Sequence, residues 1–356
     1  MRTYWSSDHV HHDPGRLPQP AGRTANYYSE VAARGPAVLD AIDAAGFGTI
    51  VDLAGTIDAD VVPPAALAVH DPAMVEFLRT AFDRIAAEEQ WPVDDTDGSE
   101  RVVIAETFGR TDDPSLERST SPWAQLGRWC ADTSAPIFAS TWAAVVGAAR
   151  AAAHAADDIA GGAPVAYAFC RPPGHHAGRS RFGGFCYLNN AAIAAHQLTT
   201  TGRRVAVLDV DLHHGNGTQD IFWDRADVLY ASLHIDPDVD YPYYAGFADE
   251  QGGPGAEGSN LNLPLPDRCD DARYLDALDA ASRAITAFGA DALVVSLGTD
   301  THQDDPIGRF DLPTTTFTSI GRRIAALGLP TAVVQEGGYH LPSLGASVTG
   351  VLSAWA

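Results

Sequence analysis

Five short apolar runs, each separated from the next by a helical pattern or a loop, constrain the fold of this chain more than any other feature. They cover Val165–Cys170, Arg204–Leu208, Val228–Leu233, Leu293–Leu297 and Thr331–Gln335. Nearly continuous apolar runs of this length are typical of parallel strands that are covered on both faces. The helical patterns between them lie at about Asn189–Leu198, Asp271–Phe288 and Phe317–Leu327. This alternation predicts a three-layer α/β/α fold with a mostly parallel central sheet.

The part of the chain that precedes these runs is less regular. Its helical patterns lie near Tyr27–Ala45, Pro72–Glu88 and Trp142–Ala156. Gln90–Ser134 and Pro237–Asn262 are rich in turn-forming residues and acids, so we expect long surface loops there. Because the sequence shows neither an internal repeat nor a linker, we expect a single domain over residues 1–356.

The charge balance excludes several classes of protein. With 46 acidic and 23 basic residues the formal charge is −23, which argues against a protein that binds nucleic acid by neutralising phosphates. Arginine or aspartate interrupts the longest apolar runs, so we expect no membrane span, and the N-terminus lacks the apolar stretch of a signal peptide. The four cysteines form no close pair typical of a disulfide framework or a zinc ribbon. These features predict a soluble cytoplasmic enzyme.

Polar side chains follow four of the predicted strands at the point where each strand ends. In chain order they are His175 and His176, then Asp209, Asp211, His213 and Asn216, then Asp300, and finally Tyr339. In an open α/β sheet the carboxyl ends of the strands form the edge at which ligands bind. We therefore expect these side chains to converge on one site.

The spacing Asp209-x-Asp211-x-His213 predicts a metal site. Side chains two residues apart on a strand project from the same face, so two carboxylates and an imidazole point the same way. A carboxylate from a distant strand end, such as Asp300, can complete the set. These ligand types suit zinc, although Fe(II) or cobalt accepts them too. Three protein ligands leave one position open, which is the pattern of a catalytic metal.

Several longer segments resemble the histone deacetylase and acetylpolyamine amidohydrolase superfamily. They are RPPGHHA, GGFCYLNNAAIAA, DVDLHHGNGTQDIFW, SLGTDTHQDDP and EGGYH, which begin at residues 171, 183, 209, 296 and 336. Within that superfamily, HHGNGTQDIFW, SLHIDP and the loop YPYYAGFADEQGGPGAEG are most similar to the bacterial acetylpolyamine amidohydrolases. The resemblance implies the arginase/deacetylase fold, a zinc-dependent deacetylase activity and homo-oligomers, often dimers.

The resemblance also implies roles for single residues. The zinc ligands would be Asp211, His213 and Asp300, and the catalytic groups His175, His176 and Tyr339, with Asp209 and Asn216 as partners of the two histidines. A structural potassium ion would be bound by Asp209, Asp211, His213, Ser232 and Leu233. The tunnel to the metal would be lined by Gly184, Phe185 and Tyr241, the last at a position where many relatives carry phenylalanine.

The different partners of the two histidines suggest different tasks. An ionised Asp209 favours the protonated form of His175, whereas a neutral Asn216 gives His176 less reason to stay charged. We therefore expect His175 to stabilise charge and His176 to carry the proton. Tyr339 would donate a hydrogen bond to the developing oxyanion.

The predicted substrate is a small acetylated amine, cleaved to acetate and a free amine, and an acetylpolyamine or a related cationic acetylamide is the leading choice. An acidic protein concentrates cations, and acids of the predicted loops would recognise a distal ammonium group. These acids are Asp112, Asp113, Glu117, Asp132, Asp238, Asp240, Asp249 and Glu250. However, Trp123 and Ser134 stand where the amidohydrolases tend to place glutamates. A protein lysine deacetylase and a deacetylase of a specialised biosynthetic intermediate therefore remain alternatives.

Overall fold

A single sheet of parallel strands organises the chain. The computed structural model describes residues 1–17, 27–55, 61–90, 101–109 and 113–356, apart from the side chain of residue 117. The strands in these ranges are Arg2–Trp5 (β1), Thr49–Asp52 (β2), Val165–Ala168 (β3), Val205–Asp209 (β4), Val228–Ile235 (β5), Asn260–Leu265 (β6), Ala292–Leu297 (β7) and Thr331–Gln335 (β8). They pair in the order β2-β1-β3-β8-β7-β4-β5-β6, and each pair is parallel. The predicted α/β class with a parallel central sheet is confirmed.

Helices cover both faces of this sheet. In the described ranges they are Arg34–Ala45 (α1), Pro64–Val69 (α2), Pro72–Glu88 (α3), Pro114–Arg118 (α4), Pro122–Trp129 (α5), Thr141–Ala160 (α6), Asn190–Thr199 (α7), Asn216–Phe222 (α8), Asp271–Phe288 (α9), Thr314–Ala325 (α10) and Leu341–Leu352 (α11). No helix among these described residues has both the length and the apolar character that crossing a bilayer requires.

The three layers follow from the alternation of side chains along each buried strand. In β4, Val205 and Val207 belong to a core shared with α3, α6 and α7, whereas Ala206 and Leu208 belong to a core shared with α1, α9, α10 and α11. Successive side chains of a strand point to opposite faces, so each apolar strand contributes to both cores. The central strands are therefore completely buried, and the polar side chains that follow them lie at the carboxyl edge of the sheet, where they are also largely buried.

The five strands predicted from the apolar runs are neighbours in the sheet, as β3-β8-β7-β4-β5. Their bounds differ from the predicted ones by at most two residues. Strands β1, β2 and β6 were not predicted. β1 has four residues with two buried side chains, and β6, at the sheet edge, contains Asn and Pro. Short strands of this composition lack the apolar run by which strands are recognised.

The predicted loop over Gln90–Ser134 is partly wrong. Its described part contains the short helices α4 and α5, each of which begins at a proline. Proline suits the first turn of a helix because the N–H that it lacks has no intrahelical partner there. The other predicted loop, Pro237–Asn262, runs into β6 at its C-terminal end.

Candidate active site

The strands that carry the predicted site residues lie side by side in the order β3-β8-β7-β4, so the segments after them meet at one edge of the sheet. Backbone N–H groups orient two of the acids at this edge. The N–H of Leu212 donates to Asp300 Oδ1 at 2.9 Å, and that of Gly337 donates to Asp211 Oδ2 at 2.8 Å. Residues that are distant in sequence are thus brought together by strand order.

Asp211, His213 and Asp300 form a compact group of possible metal ligands. One ligand atom from each lies within 4.8 Å of the others. His213 Nδ1 is 3.1 Å from Asp300 Oδ2 and 3.3 Å from Asp211 Oδ1. Gly337 leaves room beside them, because a Cβ there would lie 2.5 Å from Asp300 Oδ2 and 2.6 Å from Asp211 Oδ2. Two carboxylates and an imidazole nitrogen that face one another fit a divalent transition metal.

His175 is buried against two carboxylates. Its Nδ1 donates to Asp209 Oδ2 at 3.1 Å, and its Nε2 is 3.8 Å from Asp211 Oδ1. Burial by itself would lower the pKa of His175, but the charges of Asp211 and Asp209 raise that pKa to about 10. The two carboxylates therefore favour the protonated form of this ring.

His176 lies next to His175, with ring centroids 4.0 Å apart, but has a neutral partner. Its Nδ1 donates to Asn216 Oδ1 at 2.8 Å, which leaves Nε2 as the unprotonated nitrogen. Burial lowers the pKa of His176 well below its ordinary value, and the neighbouring His175 and His213 lower it further. Two adjacent histidines thus have opposite charge states at neutral pH.

Tyr339 is held at the end of the segment after β8. Asp305 Oδ2 accepts hydrogen bonds from the N–H groups of Tyr339, at 2.7 Å, and His340, at 3.1 Å. The guanidinium of Arg34 lies 4.9 Å from the centre of the Tyr339 ring. Burial raises the pKa of Tyr339 well above its ordinary value, although Arg34 opposes this. The phenol therefore keeps its proton and is a hydrogen-bond donor.

His175, His176, His213 and Tyr339 line a pocket of about 820 Å³. The walls also contain the three predicted tunnel residues Gly184, Phe185 and Tyr241. Gly184 and Phe185 both have positive φ, at +56° and +66°. This left-handed conformation is common for glycine but uncommon for phenylalanine, and such strain is concentrated at functional sites. Phe185 packs against Tyr339 with 5.8 Å between the ring centroids.

The sequence profile of the histone deacetylase domain matches residues 28–355, a range that contains all of these side chains. The chain belongs to the histone deacetylase family. Its relatives include acetylpolyamine amidohydrolase 1 of Pseudomonas aeruginosa, which is 45% identical over 81% of this chain and 82% of that protein. The acetylpolyamine amidohydrolase of Mycoplana ramosa is 41% identical over 92% of both chains.

Solved structures of this family have the same fold. The crystal structure of acetylpolyamine aminohydrolase from Burkholderia pseudomallei superposes with a TM-score of 0.88 at 40% identity, covering 100% of this chain and 98% of that one. The HD domain of HDA15 gives a TM-score of 0.75 at 27% identity, covering 99% and 87%. The predicted resemblance and the arginase/deacetylase fold are both confirmed.

The residues predicted to bind potassium lie on β4 and β5 and in the segment after β4. Asp209 and Ser232 are opposite each other in the register of the two strands, and Leu233 follows Ser232. His234 Nε2 donates to the Gly246 carbonyl at 2.8 Å, so its Nδ1 accepts from Ser232 Oγ, also at 2.8 Å. The Ser232 hydroxyl thus donates its hydrogen to His234, so the lone pairs of its oxygen could still coordinate a cation. Potassium binding stays a prediction.

The acids that line the pocket differ in their pairing. In the described residues they are Asp132, Asp240 and Asp267. Arg309 Nε is 2.6 Å from Asp240 Oδ2, and Arg309 NH1 is 3.6 Å from Asp267 Oδ2. No arginine of the described ranges lies within ion-pair distance of Asp132. Of these three acids, Asp132 is therefore the one without an arginine partner, while Asp240 and Asp267 share one guanidinium.

The other loop acids face elsewhere. Asp113 accepts a hydrogen bond at the start of α4, and Glu250 turns inward to accept from Gly246 and Gln219. Asp238 and Asp249 are exposed. Asp112 and the side chain of Glu117 lie outside the described residues. The predicted acids whose side chains the structure describes therefore do not gather around one site for an ammonium group.

Ser134 and Trp123 stand where the resemblance to the acetylpolyamine amidohydrolases leads us to expect glutamates. Ser134 Oγ donates to Asp132 Oδ1 at 2.5 Å, so a carboxylate is present two residues earlier. Trp123 Nε1 donates to Glu89 Oε1 at 2.9 Å instead of facing the pocket.

Two acids that position the catalytic segments were not assigned roles from the sequence. Asp305 holds the backbone of Tyr339, and Glu336 Oε2 accepts from the N–H groups of Gly174, at 2.7 Å, and His175, at 3.1 Å. Burial raises the pKa of Glu336 to about 7. Asp305 and Glu336 both lie within the segments that resemble the family. However, no local sequence pattern distinguishes an acid that accepts hydrogen bonds from the backbone from an acid on the surface.

A second group, His302, Asp304 and His340, also brings possible ligand atoms within 4.8 Å of one another. The rings of His302 and His340 are stacked 5.5 Å apart at 18°, and the Asp304 N–H already donates to His302 Nδ1. Nearly parallel rings direct their in-plane lone pairs side by side and not toward one ion. This group does not fit a metal site.

Proposed function

We propose that this chain is a zinc-dependent amidohydrolase that removes the acetyl group from small cationic acetylated amines, acetylpolyamines above all. The observation that carries the proposal is the group of Asp211, His213 and Asp300 at a pocket that also contains a neutral histidine, a protonated histidine and a tyrosine. The acetylpolyamine amidohydrolases among its relatives support the same activity.

The metal would be held by Asp211, His213 and Asp300, with His213 contributing Nδ1. When bound, it would polarise the amide carbonyl and make the attacking water more acidic. The donor set also accepts Fe(II) or cobalt, so zinc is proposed on the chemistry of the ligands.

His176 would take the proton of the attacking water and later give it to the departing amine. Its lowered pKa keeps Nε2 unprotonated at neutral pH, and the hydrogen bond from Nδ1 to Asn216 holds the ring in that tautomer. General acid–base assistance of this kind contributes about 10²–10⁴-fold in rate. His175, which is protonated beside Asp209, would stabilise negative charge and not move a proton.

Tyr339 would donate its hydrogen bond to the carbonyl oxygen as negative charge develops there. Its raised pKa keeps the phenol protonated, and Asp305 fixes the Tyr339 backbone by accepting a hydrogen bond from its N–H group. A donor that is positioned before the reaction stabilises the transition state more than it stabilises the substrate.

A cationic substrate is favoured by charge. The whole chain carries −23, and Asp132 places a carboxylate without a cationic partner on the pocket wall, whereas Asp240 and Asp267 share the single positive charge of Arg309. The net negative charge of these acids would raise the local concentration of a cationic substrate at the pocket, without a direct hydrogen bond to Asp132.

A turnover panel tests the proposal. Zinc-loaded protein is assayed with N-acetylputrescine, N-acetylcadaverine, an acetylspermidine and an acetyl-lysine peptide. We expect fast turnover of the acetylated amines and little of the peptide, and we expect Tyr339→Phe to lower kcat about 10²–10³-fold with KM little changed. Zinc content and the unfolding midpoint of the variant control for folding.

The reverse order of substrates would identify a protein lysine deacetylase, and slow turnover of all four would indicate a specialised amide. Unchanged kcat in Tyr339→Phe would remove the tyrosine from the mechanism.

A further inference from the structure

We propose that Asp132 is a positioning residue whose carboxylate joins the two sides of the substrate tunnel, through the Gly184 amide and the Tyr241 hydroxyl, and thereby sets the width of the tunnel. This inference rests on the amide hydrolysis proposed for this pocket. It concerns which substrates reach the site and not the chemistry at the reacting atoms.

The carboxylate of Asp132 accepts four hydrogen bonds. Its Oδ2 accepts from the Gly184 N–H at 2.9 Å and from the Tyr241 hydroxyl at 2.7 Å. Its Oδ1 accepts from the N–H and the hydroxyl of Ser134, at 2.8 and 2.5 Å. A carboxylate has about four lone-pair positions, so these donors fill them. One side chain thus connects three segments of the pocket wall.

The two donors to Oδ2 belong to different parts of the tunnel wall. Gly184 precedes Phe185, whose ring packs against Tyr339. The ring of Tyr241 packs against His176 instead, with centroids 4.7 Å apart and planes at 82°. A shared acceptor therefore fixes the separation between the Phe185 side and the Tyr241 side.

The charge of Asp132 makes this link stronger than a neutral one. Its donors are uncharged, and no ion pair of the described residues compensates the carboxylate. Hydrogen bonds to an ionised acceptor are shorter and roughly twice as strong as neutral ones. Burial and the nearby Asp132 also raise the pKa of Tyr241, so the phenol stays protonated and remains a donor.

A phenylalanine at position 241 would pack in the same place but would have no donor for Asp132. The phenylalanine ring would then be held by packing alone, and wider substrates would enter the tunnel more easily. Tyr241 lines the pocket, and the substitution removes only its hydroxyl while keeping the ring that packs against His176. We therefore expect the effect in KM and in substrate selectivity.

The test compares Tyr241→Phe, Asp132→Asn and the double variant with Tyr4→Phe. The control removes a hydroxyl that donates to Asp158 at 2.9 Å, and neither of those residues lines the pocket. We expect Tyr241→Phe to raise KM for N-acetylputrescine about fivefold, with kcat within twofold, and to reduce the preference for this amine over a wide acetyl-lysine anilide. Tyr4→Phe should change neither value, and the double variant should be no worse than the worse single variant.

Backbone amide exchange, measured by mass spectrometry, tests the link without turnover. We expect faster exchange over residues 240–246 in Tyr241→Phe and over residues 183–186 in Asp132→Asn, and no change at either place in Tyr4→Phe. Wild-type KM, selectivity and exchange in Tyr241→Phe, or fully additive losses in the double variant, would overturn the proposal. If the wild-type protein hydrolyses no acetylated amine, the proposed function fails, and exchange alone decides whether the link exists.

Discussion

At the scale of single residues, the partner behind each histidine sets its charge. His175 and His176 are adjacent and both buried, yet Asp209 and Asp211 raise the pKa of the first while the second has the neutral amide of Asn216. Burial disfavours the charged form of both rings, so the carboxylates decide the difference. The division of tasks proposed above depends on this one contrast.

The substitution Asn216→Asp tests that contrast. A carboxylate behind His176 would favour its protonated form and raise its pKa. Since the proposed base acts unprotonated, the acid limb of the kcat/KM profile should move up by about one pH unit, and activity below neutral pH should fall. Steady-state kinetics between pH 5 and 9 measure this shift.

Two further observations complete the test of Asn216→Asp. The unfolding midpoint at pH 8 controls for the fold, because the substitution is nearly isosteric. An acid limb at the wild-type position would mean that His176 is not the group that must lose its proton.

At the scale of secondary structure, the carboxyl ends of four neighbouring strands build the site, and glycines after two of them leave room for the ligands. A Cβ at Gly298 would clash with Asp211 Oδ2, and one at Gly337 would approach both Asp211 and Asp300. Neither glycine has a positive φ. Space, and not backbone conformation, is what requires glycine at these two positions.

We expect Gly337→Ala to weaken zinc binding about 10–100-fold, because the added methyl group would displace two ligand carboxylates. Zinc titration of the metal-free protein with a competing chelator measures the affinity. Gly350→Ala is the matched control, because a Cβ there would approach its nearest neighbours, Thr318 and Phe317 of α10, no closer than 3.3 Å. Wild-type affinity in Gly337→Ala would show that the three residues are not the metal ligands.

At the scale of the whole molecule, buried neutral histidines link stability to pH. Burial lowers the pKa of His9 to about 3 and of His70 and His234 to about 4. In the unfolded chain these rings have a pKa near 6.5 and take up protons below it, while the folded protein does not. Stability from this source is complete above pH 6.5 and is lost as the pH falls toward 4.

We expect the free energy of unfolding of the metal-free protein to fall by up to about 1.4 kcal/mol per pH unit for each such histidine below pH 6.5. Urea denaturation at several pH values in a chelator measures the slope. His70→Gln should reduce the slope of the unfolding free energy against pH by up to about 1.4 kcal/mol per pH unit, which corresponds to one proton. His11→Gln, at an exposed position, should leave the slope unchanged. Equal slopes in wild type and His70→Gln would contradict this account.

Much of the site can be predicted from the sequence because its residues follow strands that are easy to recognise. β4, β7 and β8 are continuous apolar runs, so Asp211, Asp300 and Tyr339 are identified by where those runs end. Strands β1, β2 and β6 and helices α4 and α5 are short and lack a continuous apolar run, and local sequence does not distinguish them from loops.

The sequence by itself therefore determined the α/β class, the family and the set of residues at the strand ends. Only the tertiary structure decided which of the loop acids face the pocket, that Arg309 pairs with Asp240, that Asp305 holds Tyr339, and that Asp132 joins Gly184 to Tyr241. The physical reason is distance along the chain. Strand patterns arise from neighbouring residues, whereas a hydrogen bond between residues 132 and 241 depends on how separate loops pack above the finished sheet.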